Sequence, residues 1–426
     1  MSPPPERTGA EARLERVPWE ALRGLAPALD GPLSEVLSGA PAERVLDRLL
    51  RRLGPLPAAH RAAVAEAVFG VGLWRRRLRA QLGLPGAPPR LLLASLLRDL
   101  AGRGDAALLA SLHPAELPRP RPVPESLADR CSLPDWLAAE LLRAAGGQAS
   151  ALADALNQPG PICLRPNLLR TTGEALDARL AAEGVAASPG RLVPSCRVVA
   201  GRLNLYGLGA FREGLLEVQD EGSQLLGALL EARPKEEVLD ACAGAGGKAL
   251  LLAAAVGAGG RVHAVDPDGE RLARLRARAR RAGAAEIVAV HGTGPPPSLT
   301  VDRALVDAPC SELGALRRGP DLRWRIDPAG FGALPALQRA VLEGAARSVR
   351  PGGRLVYATC TFRREEDEEV ALSLERDHPE LVRLRPALAG GALDPDGFVR
   401  TWPHRHGTDG FFAAVWERGS PSARRS

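Results

Sequence analysis

The sequence predicts an α/β protein: a doubly wound parallel sheet in its C-terminal half, preceded by an all-α N-terminal domain and a small α+β connecting unit. Three observations carry this. Apolar residues in the first hundred positions recur at helical spacing, with no strand pattern between them. From Leu230 onward, short apolar runs bounded by turn residues alternate with helical stretches. Between these regions, helices and strands follow one another without that regular order.

Taken in order, Ala42–Leu53 places Val45, Leu46, Leu49, Leu50 and Leu53 on one helical face. The residues 58–78 continue with Val64, Val68, Val71 and Trp74, and Leu91–Leu100 adds a short apolar helix. Repeated proline in His113–Glu125 excludes a helix interior, so the first boundary is placed there, and residues up to about 120 are expected to fold alone. The expected domains are 1–125, 126–217 and 218–418. In the second, Pro134–Ala145, Ala149–Ala155 and Gly173–Glu183 read as helices, and Pro161–Arg165 and Leu192–Val199 as strands. In the third, strands are predicted at Val238–Ala241, Val262–Val265, Ile287–Val290, Ala304–Val306 and Leu355–Ala358. Helices at Lys248–Val256 and Arg271–Ala282 separate some of them. Two more strands, Phe398–Trp402 and Phe411–Trp416, close the chain.

Composition narrows the function classes. A chain of 426 residues suits two or three domains, and 45% hydrophobic residues are ample for buried cores. No uninterrupted apolar run is long enough to span a bilayer. Met1–Ala10 carries prolines and charges rather than an apolar leader core, so the chain is expected to be cytoplasmic. The net charge of +6 is compatible with a nucleic-acid partner. Six cysteines are present and none forms a C-x-x-C pair, so neither a metal site nor a disulfide framework is expected. Each cysteine is then a buried small hydrophobe or a nucleophile. The cations are arginines except Lys235 and Lys248, and Lys248 sits inside a glycine loop.

That loop, Ala241-Cys242-Ala243-Gly244-Ala245-Gly246-Gly247-Lys248, joins the first strand of the sheet to a helix. Glycines at such a turn let backbone approach a ligand closely. A P-loop would need glycine at 242 and Ser or Thr at 249, and a dinucleotide fingerprint would need glycine at 249; the residues are Cys242 and Ala249. The second strand ends in Asp266, placed to accept hydrogen bonds from the ribose hydroxyls of an adenosine. The fourth strand ends in Asp307-Ala308-Pro309-Cys310-Ser311, and the fifth in Ala358-Thr359-Cys360-Thr361. Two cysteines and an aspartate thus converge on the crevice where open α/β sheets bind ligands.

One reaction asks for this set. Carbon 5 of cytosine is a poor nucleophile toward a methyl sulfonium. A thiolate adding to carbon 6 makes an enamine that can attack the methyl group, while a carboxyl group such as Asp307 holds nitrogen 3 and the exocyclic amine. One cysteine is needed as nucleophile and a second can assist release; chemistry alone leaves the two interchangeable.

The segments DACAGAGGK (240–248), VDPD (265–268), DAPCS (307–311), PDLRW (320–324), PGGRLVYATCT (351–361) and DGFF (409–412) resemble the Sun family of RNA cytosine-5 methyltransferases. VQDEGSQLL (218–226) is similar to the stretch before that family's cofactor loop. AEAVFGVGLWRRRL (65–78) resembles the NusB-like domain of the bacterial ribosomal members. The resemblance implies a Rossmann-like methyltransferase sheet, S-adenosylmethionine as cofactor and RNA, above all small-subunit rRNA, as partner of a monomer. It implies Cys360 as nucleophile and Cys310 in product release, with Cys242 through Lys248, Asp266 and Asp307 at the cofactor. The family loop carries proline where Ala245 stands, threonine where Ala249 stands, and an adenine-contacting aspartate where Thr293 stands. Loss of one such contact is expected to cost about 1–3 kcal/mol of cofactor affinity. Arg317, Arg318, Arg323 and Trp324 combine guanidinium groups with an indole and are expected to bind RNA. The competing expectation is an RNA-binding or ribosome-assembly factor that keeps the fold with weak catalysis.

Overall fold

The computed structural model describes residues 9–419 except 202, 293 and 295–298. Two compact units result: residues 1–159 with 316–328, and residues 160–315 with 329–426.

The first unit is helical: α1 (Gly9–Glu15), α2 (Ala26–Leu37), α3 (Ala42–Leu53), α4 (Ala58–Leu82), α5 (Pro89–Ser95), α6 (Ala106–Leu112), α7 (Leu127–Arg130), α8 (Asp135–Ala145) and α9 (Ala149–Leu156). Helix α4 is its axis. Val64, Ala67, Val68, Val71, Trp74 and Leu78 are all buried along it, and Gly83 ends it in the left-handed conformation. This compact unit runs past the proline-rich stretch where the sequence placed a boundary. The reason lies in the basic run of α4. Arg76 binds Asp129 at 2.6 Å and the Leu133 carbonyl at 2.9 Å, and Arg77 binds the Arg130 carbonyl at 3.1 Å. Helix α7 and the loop into α8 are therefore fastened to α4.

The second unit holds both sheets. Strands β1 (Cys163–Pro166), β2 (Ala187–Pro189), β3 (Arg197–Val199) and β4 (Leu216–Val218) form an antiparallel sheet in the order β2-β3-β1-β4. Helices α10 (Gly173–Ala182) and α11 (Gly209–Arg212) lie between its strands in sequence. The expected boundary at 217/218 falls inside β4, a strand of only three residues and too short to leave a periodic signal. Asn167 joins this sheet to the next layer, donating to the carbonyls of Gly214 at 2.7 Å and Ala282 at 2.8 Å.

After α12 (Glu221–Ala228) the large sheet begins: β5 (Glu237–Asp240), α13 (Gly247–Val256), β6 (Arg261–Val265), α14 (Gly269–Ala282), β7 (Val288–His291), β8 (Val301–Asp307), α15 (Leu334–Ser348), β9 (Val349–Thr359), α16 (Glu368–Asp377), β10 (Leu381–Arg383), β11 (Val399–Thr401), α17 (Pro403–His406) and β12 (Phe411–Arg418). The order is β10-β12-β9-β8-β5-β6-β7, with β11 on β12. Strands β5 to β9 pair in parallel, whereas β10, β11 and β12 are joined antiparallel at one side. Val238, Leu239, Val262, Ala264, Leu305 and Val356 are fully buried, as strands covered on both faces require. The chain winds outward in both directions from β5 and β8. Their carboxyl ends are where such sheets leave a crevice. Among the described residues no helix is long and apolar enough to cross a membrane.

Candidate active site

A cavity of about 580 Å³ opens at that crevice. Its floor is the turn from β5 to α13. Gly244 and Gly246 both have positive φ, +53° and +90°. A Cβ on Gly246 would lie 2.1 Å from Leu275 Cδ1, so helix α14 leaves room only for glycine there. The turn is pinned from three sides. Gly244 N–H donates to Asp266 Oδ2 at 2.9 Å, and Asp268 N–H donates to Asp266 Oδ1 at 2.8 Å. Arg278 of α14 donates to the Ala245 carbonyl at 2.8 Å, and Arg165 of β1 to the Gly247 carbonyl at 2.8 Å. Arg165 is buried, and burial brings its pKa down to about 10, so it stays charged at neutral pH. The sequence offers no local signal for either arginine, since both reach the loop across the fold.

The wall charges are mostly acidic: Asp240, Asp266, Asp268, Asp307 and Glu312 line the cavity against Lys248 and Arg271. Lys248 Nζ donates to Asp307 Oδ2 at 2.6 Å. Burial alone would lower the lysine's pKa, but Asp307 and Asp240 outweigh it and the net shift is upward. Asp240, at the end of β5, is 1% exposed, and among the described residues neither of its carboxyl oxygens has a hydrogen-bond partner. Burial, reinforced by Asp307, pushes its pKa up to about 7 despite Lys248. Burial and the neighbouring carboxylates also hold the Cys242 thiol above the usual range. An unpaired carboxyl in an acid-lined cavity suits a ligand carrying positive charge. The pyrophosphate of a dinucleotide would meet repulsion there.

The two loops after β8 and β9 meet at the cavity wall. Cys310 Sγ and Cys360 Sγ lie 3.3 Å apart, and Cys360 N–H donates to Cys310 Sγ at 3.3 Å. The loops are cross-tied: Ser311 and Thr361 hydroxyls share a hydrogen bond of 2.7 Å, and Gly314 N–H donates to the Cys360 carbonyl at 2.9 Å. Glu366, fully buried, accepts from Ser311 N–H at 2.9 Å and from Gln338 at 3.0 Å. Gln338 also donates to the Pro309 carbonyl at 2.9 Å. Neither Glu366 nor Gln338 stands out in the sequence. The hydrogen bond with Cys310, then burial and Asp307, raise the Cys360 pKa well above the ordinary thiol value, so it rests as a thiol.

Most of the site residues expected from sequence come together here. Cys242, Ala243, Gly244, Ala245, Gly247 and Lys248 of the loop line this one cavity, and so do Asp266, Asp307, Cys310 and Cys360. Gly246 instead backs onto α14.

The four residues expected to bind RNA do not join them. Segment 316–328 belongs to the helical unit. Arg323 is fully buried, donating to Asn157 Oδ1 at 2.6 Å and the Leu156 carbonyl at 3.1 Å, and burial lowers its pKa to about 10. It is a packing residue, and no phosphate can reach it. Arg317 is buried as well, while Arg318 is exposed. Asp321 accepts from Ala42 N–H at 3.2 Å, which places a carboxylate at the N-terminus of α3. Trp324 is half-buried beneath Arg75. Thr293 lies outside the described residues.

Known proteins match this arrangement. The family described as 16S rRNA methyltransferase RsmB/F matches residues 227–417, and an RsmF/B-like ferredoxin-like domain matches residues 133–205. Ribosomal RNA small subunit methyltransferase B of Thermus thermophilus is 34% identical, over 94% of this chain and 98% of its own. The probable ribosomal RNA small subunit methyltransferase B of Synechocystis is 32% identical over 87% of each chain. Among solved structures, PH0851 superposes with a TM-score of 0.74 at 26% identity, over 94% of this chain and 99% of its own.

Proposed function

This chain belongs to the RsmB/F family of S-adenosylmethionine-dependent methyltransferases, and on that premise we propose that it methylates carbon 5 of a cytosine in small-subunit ribosomal RNA through a covalent adduct of Cys360. The observation that carries the proposal is the pair of sulfurs, 3.3 Å apart, on the wall of the cavity that holds the glycine loop and the Lys248–Asp307 pair.

Cys242 to Lys248 and Asp266 would hold S-adenosylmethionine, which would supply an electrophilic methyl group on a cationic sulfur. The chain's own residues do the rest. The Cys360 thiol gives up its proton to solvent as sulfur bonds to carbon 6, and the electron pair of the carbon 5–carbon 6 double bond moves to carbon 5. Asp307 uses Oδ2 for Lys248, which leaves Oδ1 for the pairing edge of the cytosine. Carbon 5 would then take the methyl group as its bond to the cofactor's sulfur breaks, the cofactor leaving as a neutral thioether. Loss of the carbon 5 proton to a base returns the electron pair and expels Cys360, with Cys310 assisting at that step. The resemblance of the helical unit to NusB supports a further RNA or ribonucleoprotein contact there.

Bisulfite sequencing of small-subunit rRNA from cells with and without the gene tests this. One cytosine should lose its protection when the gene is absent. An identical pattern in both would defeat the cytosine-5 assignment. Transfer of labelled methyl to RNA by the purified protein, without 5-methylcytosine, would leave a methyltransferase of other specificity.

A further inference from the structure

We propose that the helical unit carries a donor-lined groove on α4 that binds a phosphodiester of an unpaired RNA strand. The proposal rests on the reading of RNA as the substrate, and it concerns a contact separate from the cysteine cavity.

The groove has a volume of about 540 Å³. Arg75, Arg76, Arg79 and Arg121 line it, with Trp324 and a single acid, Asp129. Asp129 is already committed to Arg76 at 2.6 Å, and Arg76 also binds Asp135 at 2.7 Å. Among the described residues, the other three guanidinium groups have no carboxylate partner. Arg75 donates to the carbonyls of Gly72 and Leu37, both at 3.1 Å, and lies 4.6 Å over the Trp324 ring. Burial lowers its pKa to about 10, which still leaves it charged at neutral pH. Arg121 packs its guanidinium against Gly83, where a Cβ would come within 2.3 Å of it.

Two buried polar atoms here lack partners among the described residues: Arg79 Nε and Trp324 Nε1. Both are donors. Buried donors are rarely left unmade, because each costs about 1–3 kcal/mol. A ligand that satisfies them must offer acceptors and bring no competing donors, and the surplus of positive charge asks for an anion. A phosphodiester meets both conditions. The indole edge and the stacked guanidinium plane favour a nucleic acid over an acidic peptide, because an unpaired base can lie along them. The segment whose composition points to RNA thus contributes through Trp324 rather than through its arginines.

The test uses the full chain and a short, unstructured, fluorescein-labelled RNA, with anisotropy measured over a range of potassium chloride. Arg79→Glu should weaken RNA binding at least tenfold. Arg79→Ala should weaken it severalfold and lower the slope of log affinity against log salt by about 0.7, one phosphate contact. Trp324→Phe keeps the packing, removes the donor, and should weaken binding severalfold with the slope kept. An unaltered far-UV circular dichroism spectrum and urea midpoint in each variant certify the fold of the helical unit. RNA affinity and salt slope unchanged in Arg79→Glu would overturn the proposal. Loss of polyglutamate binding with RNA binding intact would also overturn it, in favour of an acidic protein partner. A wild-type chain that binds RNA with the expected slope but methylates none would remove the proposed function and leave the groove standing.

Discussion

The cavity on the large sheet and the groove on α4 are opposites in charge and alike in construction. In the cavity, Asp266 is satisfied by backbone N–H groups, Asp307 by Lys248, and Asp240 by none of the described residues. In the groove, Arg76 is satisfied by two aspartates and Arg75 by carbonyls, while Arg79 Nε has no partner among them. Each hollow holds some of its charges internally and keeps a buried polar group without a partner among the described residues, Asp240 in the cavity and Arg79 Nε in the groove. The sign of the unmatched group indicates the ligand: a cationic cofactor for one, an anionic strand for the other. Chemistry adds a second difference. Of the two hollows, the cavity alone carries thiols.

The largest effect should come from those thiols. Cys360→Ser is expected to lower methyl transfer by at least about a thousandfold and to form no adduct, because a serine hydroxyl is hardly ionised. Cys310→Ser should still attack and methylate but fail to release, leaving a slow protein–RNA band on a denaturing gel. That band should require both cofactor and RNA. An adduct with Cys360→Ser and none with Cys310→Ser would reverse the roles. Full activity in both would reduce the cysteines to packing and leave the cavity with charge alone.

Next in size is the internal pairing of the cavity. Lys248→Met leaves Asp307 without its cation. Breaking a fully buried pair costs roughly 3–5 kcal/mol. Asp307 keeps 30% of its side-chain exposure. The expected loss is therefore smaller, about 2–3 kcal/mol in urea unfolding. Unchanged stability would mean that the carboxylates do not depend on Lys248, and the parallel with the groove would fail.

How much of this was legible in sequence follows from where each partner lies along the chain. The glycine loop, Asp266, Asp307 and both cysteines stand at strand ends, so a few adjacent residues carried each signal. Segment 320–324 misled for the opposite reason. Its polar residues look solvent-facing, but Arg323 meets Asn157, 166 positions away, and Asp321 meets Ala42, 279 positions away. Periodicity cannot report such partners. The same distance hid Arg165 and Arg278 behind the loop and Glu366 behind the cysteines. The helices up to residue 159 pack with the helical unit in part through what Arg76 and Arg77 reach, whereas the sequence boundary follows the proline break, ahead of the ferredoxin-like family match over 133–205.

A smaller change tests the satisfied carboxylate. Asp266→Ala should weaken S-adenosylmethionine binding by about 1–3 kcal/mol, the worth of a charged acceptor. It also releases the N–H groups of Gly244 and Asp268, so part of the loss should appear as a looser loop. Calorimetry giving the wild-type affinity would remove the ribose assignment.

The smallest effect concerns the unmatched carboxyl, and it depends on pH. Asp240 has its pKa raised to about 7 in the folded chain, from an ordinary value near 3.8. The folded state therefore binds the proton more tightly than the unfolded state. Stability from this group is full below the ordinary value and is lost as pH rises through about 7. A cationic cofactor reverses the preference, because it favours the ionised carboxylate. Below pH 7 binding should then release a proton, and affinity should fall by up to about tenfold per pH unit. Lys248 and Cys242 are both pushed upward and stay protonated throughout this window. Asp240→Asn should flatten the affinity profile and remove the proton release seen by calorimetry in buffers of different ionisation enthalpy. It should also make the free protein relatively more stable at pH 8 than the wild type, since no carboxylate is then buried unpaired. A wild-type affinity that is constant from pH 5.5 to pH 8 would show that Asp240 does not sense the cofactor's charge, and the rule that the unmatched group marks the ligand would fail in the cavity where it is sharpest.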